Sequence, residues 1–175
     1  NDQTSLVYRI FVGAAFPYMN SITIPYEKQY FTGGANGIRA WQVRNLGPGS
    51  YNIFNEPEAP RWPNQTADVK IEANIEYRFD LFWLLEGALF LDGGNIWSLN
   101  KDDVRPGSVF EWNRFYKEFA LGAGFGLRMD FSFFVFRFDL GMKVRDPSQP
   151  EGMRWVFMDS GYNRPQFNIA IGYPF

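Results

Sequence analysis

From Asp68 to Phe79, apolar and polar side chains alternate without a break. Val69, Ile71, Ala73, Ile75, Tyr77 and Phe79 form one set; Asp68, Lys70, Glu72, Asn74, Glu76 and Arg78 form the other. A period of two marks an extended strand whose two faces meet different surroundings. The run has roughly the eleven residues that a tilted strand needs to cross a bilayer. A soluble antiparallel strand with one wet face has the same pattern, so this stretch alone leaves both readings open.

The pattern recurs along the chain. Leu6, Tyr8, Ile10, Val12, Ala14 and Phe16 share a face opposed by Arg9 and Gly13, giving a first strand that ends near Pro17. After a tight turn over 80–83, Leu85, Gly87, Leu89 and Leu91 oppose Glu86, Ala88, Phe90, Asp92 and Gly94, and Trp97 closes the strand at an interface position. Phe115, Phe119, Leu121, Ala123, Phe125, Leu127, Met129 and Phe131 oppose Glu118, Gly122, Gly124, Gly126, Arg128 and Asp130. A turn near Ser132 leads to Phe134, Phe136, Phe138, Leu140, Met142 and Val144, set against Arg137, Asp139, Gly141, Lys143 and Arg145. The last strand alternates Phe167, Ile169, Ile171, Tyr173 and Phe175 with Asn168, Ala170 and Gly172. Short turns near residues 81 and 132 alternate with long loops, as in outer-membrane barrels.

The expected fold is therefore all-β: an antiparallel transmembrane barrel segment of about six strands, read as one domain over 1–175. The alternative is a soluble sandwich, which would bury its Phe faces against each other. Composition favours the membrane reading. Aromatic residues make up 19% of the chain, yet charged residues still reach 21%, a pairing that suits alternating strands better than apolar helices. A net charge of −2 argues against a nucleic-acid surface, so no nucleic-acid partner is expected. The chain has no cysteine and no histidine, which removes thiol chemistry, the commonest general base and the commonest metal ligand. Neither a cofactor nor a metal is expected, and a Ser-His or Cys-His nucleophile is unavailable. No leader is legible at Asn1-Asp2-Gln3, so the chain reads as processed or as starting partway through a longer protein.

The long connection over 19–67, read as an external loop, holds Gly33-Gly34-Ala35-Asn36-Gly37-Ile38-Arg39-Ala40-Trp41. Connections of this length are usually functional. Glycines let such a run bend sharply and enter a confined space, and arginine is the cation best shaped to bind a carboxylate there. Taken alone, the run also reads as a solvated surface turn. With the apolar faces outward, Glu72, Glu76, Glu86, Asp92, Glu118, Arg128, Asp130, Arg137 and Asp139 point inward. Gly122, Gly124 and Gly126 then leave a bare groove beside them, in which the loop tip can lie with Arg39 on Asp92. The competing readings are glycines that only relieve curvature, and charges that line an ordinary wet lumen.

Gly33-Gly34 with Ile38-Arg39-Ala40-Trp41 resembles the V-R-G-F/Y loop motif of the BamA superfamily, which includes BamA, TamA and the two-partner-secretion transporters. Phe90-Leu91-Asp92-Gly93-Gly94 resembles that family's F-x-D-x-G strand motif, and Gly122 to Arg128 resembles the glycine-rich strand that follows it. The terminal strand with Phe167, Tyr173 and Phe175 looks like an outer-membrane insertion signal. The resemblance implies that Arg39 locks the loop onto Asp92. Two departures stand out: Ala40 replaces the family's glycine, and Trp41 its commoner Phe or Tyr. The family barrel has roughly sixteen strands, so about six imply its carboxy-terminal part, as a fragment or one piece of a split barrel. The alternative is a smaller barrel with extra strands from Ser21–Tyr30 and Ser50–Phe54, and Ile22-Thr23-Ile24 reads as a short extended piece.

The resemblance implies a non-enzymatic factor of the Gram-negative outer membrane that assembles, inserts or translocates other proteins. It would act through a lateral seam at the last strand, which Gly172 and Pro174 weaken, by edge pairing with client strands. On another reading, Pro174 only ends that strand. The implied partners are outer-membrane lipids, the remaining barrel strands, unfolded outer-membrane clients and assembly-complex subunits. A passive, porin-like channel is the alternative.

Overall fold

The computed structural model describes residues 4–18, 24–58, 60, 61, 63–131, 133–159 and 161–175. Six antiparallel strands form one open sheet in sequence order: β1 (Thr4–Ala14), β2 (Val69–Phe82), β3 (Leu85–Trp97), β4 (Ala120–Asp130), β5 (Val135–Arg145) and β6 (Gln166–Ile171). The connections β2–β3 and β4–β5 are tight, and the long ones all leave the opposite end of the sheet.

Burial is inverted relative to a water-soluble sheet. On β2, Glu72 and Glu76 are fully buried and Asn74 nearly so, whereas Ile75 and Tyr77 on the other face are 48% and 43% exposed. Leu6, Ile10, Leu89, Leu91, Phe125, Phe167 and Ile169 extend that exposed apolar face across the sheet. A sandwich would have buried those side chains, so the sandwich reading falls. The polar face is covered by residues of the β1–β2 connection, and the buried apolar cluster consists of Ile38, Ala40, Trp41 and Leu46 from that connection with Ala120 of β4.

Several expected boundaries move. β4 starts at Ala120, because Phe115–Glu118 form a short 3-10 turn. Phe115 and Phe119 pack on Trp97 together with Phe110, an aromatic cluster that imitates strand alternation in the sequence. β2 continues through Phe82 by way of an irregularity between Asp80 and Phe82. β6 stops at Ile171, where Gly172 takes φ +87°, so Tyr173 and Phe175 do not extend it. They turn across the sheet instead: the Arg78 guanidinium lies 4.3 Å from the Tyr173 ring and that of Arg9 lies 5.3 Å from the Phe175 ring.

Arg145 also departs from the alternation. Leu121 pairs with Arg145 while Gly122 pairs with Lys143, so Val144 is an extra residue and Arg145 moves to the apolar face. Ser50–Phe54 forms turns and part of a 3-10 turn, not a strand. Of Ser21–Tyr30, residues 21–23 lie outside the described residues, Ile22 and Thr23 among them, as does Ser132 of the expected turn. The rest of that stretch holds a 3-10 turn and one bridge from Tyr30 to Ala67.

The exposed apolar face generates a direct test. Leu89→Arg in the full chain is expected to lower unfolding stability in phospholipid vesicles by about 2–4 kcal/mol if the site sits near the bilayer centre. A change within about 0.5 kcal/mol, usual for a water-exposed position, would contradict a lipid-facing sheet.

Candidate functional site

The loop reaches the polar face as a compact fold-back. Gly33 and Gly34 adopt φ +91° and +82°, a region open to glycine at little cost. The Gly34 amide donates to the Trp41 carbonyl at 2.7 Å, and the Trp41 amide to that of Ile38 at 3.1 Å. This places Arg39 at the tip with 1% of its surface exposed.

Arg39 grips Asp92 with both arms of its fork. Nε donates to Oδ2 and Nη2 to Oδ1, each at 2.9 Å, and the Arg39 amide adds a bond to Oδ2 at 3.0 Å. Nη1 donates to Glu76 Oε2 at 2.5 Å, and the guanidinium carbon lies 3.6 Å from the Phe90 ring centroid. Burial opposes the charge on Arg39, but the Asp92 and Glu76 carboxylates outweigh it and hold the guanidinium protonated more firmly than a free arginine.

The strand side chains around it alternate in charge. Arg128 donates to Glu76 Oε2 at 3.0 Å and to Asp139 Oδ1 at 2.7 Å. Arg137 Nε lies 3.2 Å from Asp139 Oδ2. Arg39, Arg128 and Arg137, all at 1% exposure or less, thus face Glu76, Asp92 and Asp139, and the partly exposed Arg78 joins from the edge with Nε donating to Glu76 Oε1 at 2.7 Å. No such pairing is needed in a water-filled lumen, where solvent screens each group; in a desolvated one it is required.

Further bonds fix the loop backbone from several strands. From β2, Asn74 Nδ2 donates to the Gly37 carbonyl at 3.0 Å and Glu72 Oε2 accepts from the Thr32 hydroxyl at 2.9 Å. From β1, Arg9 donates to the Asn36 carbonyl at 3.0 Å. From β5, Arg137 Nη2 binds the Ala35 carbonyl and Asn36 Oδ1 at 3.0 and 2.7 Å. From β6, Asn168 Nδ2 donates to the Arg39 carbonyl at 2.9 Å.

Of the three β4 glycines expected to form one groove, only Gly122 meets the loop. A Cβ there would sit 2.6 Å from that of Ala40 and 3.5 Å from the Trp41 ring. Gly124 lies beneath the Phe90 ring, and Gly126 makes room for the Arg128 guanidinium and the Asp139 carboxylate. The second bare contact is Gly141 on β5, where a Cβ would come within 2.8 Å of the Arg39 carbonyl group. Gly94 touches the β2 backbone at Ile71 and Glu72, not the loop. Trp41 lies 5.1 Å from the Lys143 ammonium, Ile38 is fully buried, and the exposed Phe167 ring is stacked on Phe138.

Sequence reasoning missed Asn74, Asn168 and Gly141 as loop contacts. For Asn74 and Gly141 the one signal is that each stands among charged neighbours on a polar face, where a neutral amide or a bare backbone breaks the pattern; Asn168, beside Ala170 and Gly172, carries none. Among the described residues no cluster of acidic side chains suits a metal ion.

The profile of the Omp85 superfamily domain matches residues 1–175. No curated protein matched the chain.

Removing the tip cation leaves Asp92 with Asn74 as its side-chain partner and no cation among the described residues, while Glu76 keeps Arg128 and Arg78. Arg39→Ala is expected to cost about 3–5 kcal/mol and to expose the loop to protease in vesicles. Gly141→Val should expel the same segment without touching a charge. A simple exchange, Arg39→Asp with Asp92→Arg, should not rescue, because the carboxylate introduced on the loop would then face Glu76. Unchanged proteolysis in both single variants would show that the network does not hold the loop.

Proposed function

The chain belongs to the Omp85 superfamily, and from that premise we propose that it is a non-enzymatic outer-membrane factor that inserts or translocates other proteins. Membership supports outer-membrane protein assembly or translocation in general. The finer reading assigns the work to a lateral seam along β6 and to a loop locked by Arg39. It takes the membrane to be the outer membrane of a Gram-negative bacterium and the partners to be unfolded outer-membrane clients and assembly subunits.

One observation carries this reading beyond a passive channel. The side chains that would line an ion pathway, Glu76, Asp92, Arg128, Arg137 and Asp139, are all fully buried, and Arg39 from the loop sits among them. A porin needs its lumen charges wet and accessible. A protein that works by edge pairing needs no open lumen, only a strand edge that a client can reach. β6 fits the second requirement, with six residues and an end at Gly172, against eleven to fourteen in the other strands. Fewer ladder bonds make it the edge most easily separated from a neighbour. Such a seam and lock would be coupled, since Asn168 of β6 donates to the Arg39 carbonyl.

Depletion of the full-length protein in its host is expected to lower the levels of several outer-membrane barrels while their transcripts persist. The Arg39→Ala variant should restore those levels only in part. Normal barrel levels on depletion, together with steady conductance of the purified protein in planar bilayers, would assign it to the channel class instead.

A further inference from the structure

The basic cluster at the loop end of β4 and β5 belongs to neither the loop network nor the seam. Arg145 donates to the carbonyls of Phe119 and Lys117, and Arg154 Nη1 donates to the same Lys117 carbonyl at 2.8 Å. Two guanidiniums therefore converge on one oxygen, with the exposed Lys117 side chain beside them. Among the described residues none of these three cations lies within 4.0 Å of a carboxylate. Together with Glu151, Gly152 and Trp155 they line a cleft of about 240 Å³. Three cations against one carboxylate leave the cleft positive.

Its position says which kind of anion fits. Residues directly opposed in an antiparallel ladder share a face, and Leu121, Arg145 and Trp155 are opposed in a row. That face continues down the sheet through Ala123 with Met142 and Phe125 with Leu140, the apolar surface described above. The extra residue at Val144 is what turns Arg145 onto it. Trp155 lines the cleft and the Tyr116 ring lies 6.0 Å from the Lys117 ammonium, at 68% and 57% exposure. Aromatic rings with cations at the border of an apolar band are the composition of a membrane interface. A free anion has no use for the aromatic shelf or for the apolar track below it.

We propose that Lys117, Arg145 and Arg154 form a docking site for the phosphate headgroup of an anionic lipid, whose acyl chains lie along Leu121, Ala123 and Phe125. Guanidinium pairs suit a phosphate, which accepts several charge-assisted bonds at once. The site rests on the barrel reading, because it needs the apolar face to lie in lipid.

The test uses the full-length protein in phosphatidylcholine nanodiscs doped with phosphatidic acid, or with diacylglycerol of the same acyl chains. Native mass spectrometry after extraction counts retained lipid. Phosphatidic acid should be retained and diacylglycerol not, and Arg145→Gln with Arg154→Gln should weaken retention at least about tenfold. Millimolar inorganic phosphate and polyglutamate should fail to displace the lipid. Equal retention of the two lipids, equal retention by the variant, or displacement by phosphate or polyglutamate would overturn the site. Heat-modifiable gel migration scores insertion separately. Full-length protein that inserts but retains no phosphatidic acid ends this proposal alone, whereas full-length protein that never inserts ends the barrel reading as well. If the double variant fails to insert, the exposed Lys117→Gln decides, with severalfold weaker retention expected and unchanged retention overturning the site.

Discussion

A guanidinium taken out of water must find anions, and nearly everything about the polar face follows from that demand at Arg39. Desolvating one such ion costs several kcal/mol even after relaxation, so the loop tip cannot rest against an apolar wall or an uncharged one. Asp92 meets the planar fork with two parallel bonds, and Glu76 takes the remaining arm. Glu76 also takes Arg128 and Arg78, and Arg128 and Arg137 in turn share Asp139. Buried networks of this kind are poor sources of net stability against an apolar core of equal volume. What they specify well is a single position, because a shift of one residue would leave charges unpaired.

The sheet makes that position readable from many sides at once. Five strands bond directly to the loop segment 32–39 through Arg9, Glu72, Asn74, Asp92, Arg137 and Asn168. The remaining strand, β4, contributes shape through Gly122 and charge through Arg128. Loop and strands therefore share one set of contacts. Displacing Arg39 would release Asn168 on β6 along with Asp92 on β3. The tail past Gly172 adds to this coupling, since Tyr173 and Phe175 lie against Arg78 of β2 and Arg9 of β1.

Much of this was legible in the residue order. Alternation located all six strands, because each sets apolar side chains on one face of the sheet against polar or small ones on the other, and that contrast is written every second residue. The Arg39 and Asp92 pair was also within reach, since a lone arginine in a glycine-rich loop has few acceptable partners on a polar face. What escaped has a physical cause in each case. The Phe115 and Phe119 spacing satisfies a strand and a wrapped aromatic cluster equally well, and only the fold of the 98–119 connection separates them. Arg145 changed faces through one inserted residue, which leaves no mark on composition. Asn74 and Asn168 read as ordinary polar positions, because an amide that binds a backbone carbonyl looks like one that binds water. Gly141 was hidden by context: its role depends on the loop backbone passing within van der Waals distance, a fact about a segment about a hundred residues earlier in the chain.

The contact between Ala40 and Gly122 shows how the packing and the charge pairing constrain each other. The loop tip must lie close enough to the sheet for Arg39 to reach Asp92, and Gly122 is the residue directly opposite Asp92 in the ladder. A side chain at Gly122 would occupy the space that the Ala40 methyl now fills, since the two β-carbons would stand only 2.6 Å apart. One methyl is therefore accommodated, and it is placed on the loop instead of the strand. On the other flank Gly141 keeps the Arg39 carbonyl close enough to β5 for Asn168 of the next strand to bond it. Short side chains on both flanks set the depth of insertion, and the carboxylate then sets its direction. Neither would suffice alone: a close-packed tip without a counter-ion would bury an unpaired charge, and a counter-ion without the bare backbone would lie out of reach.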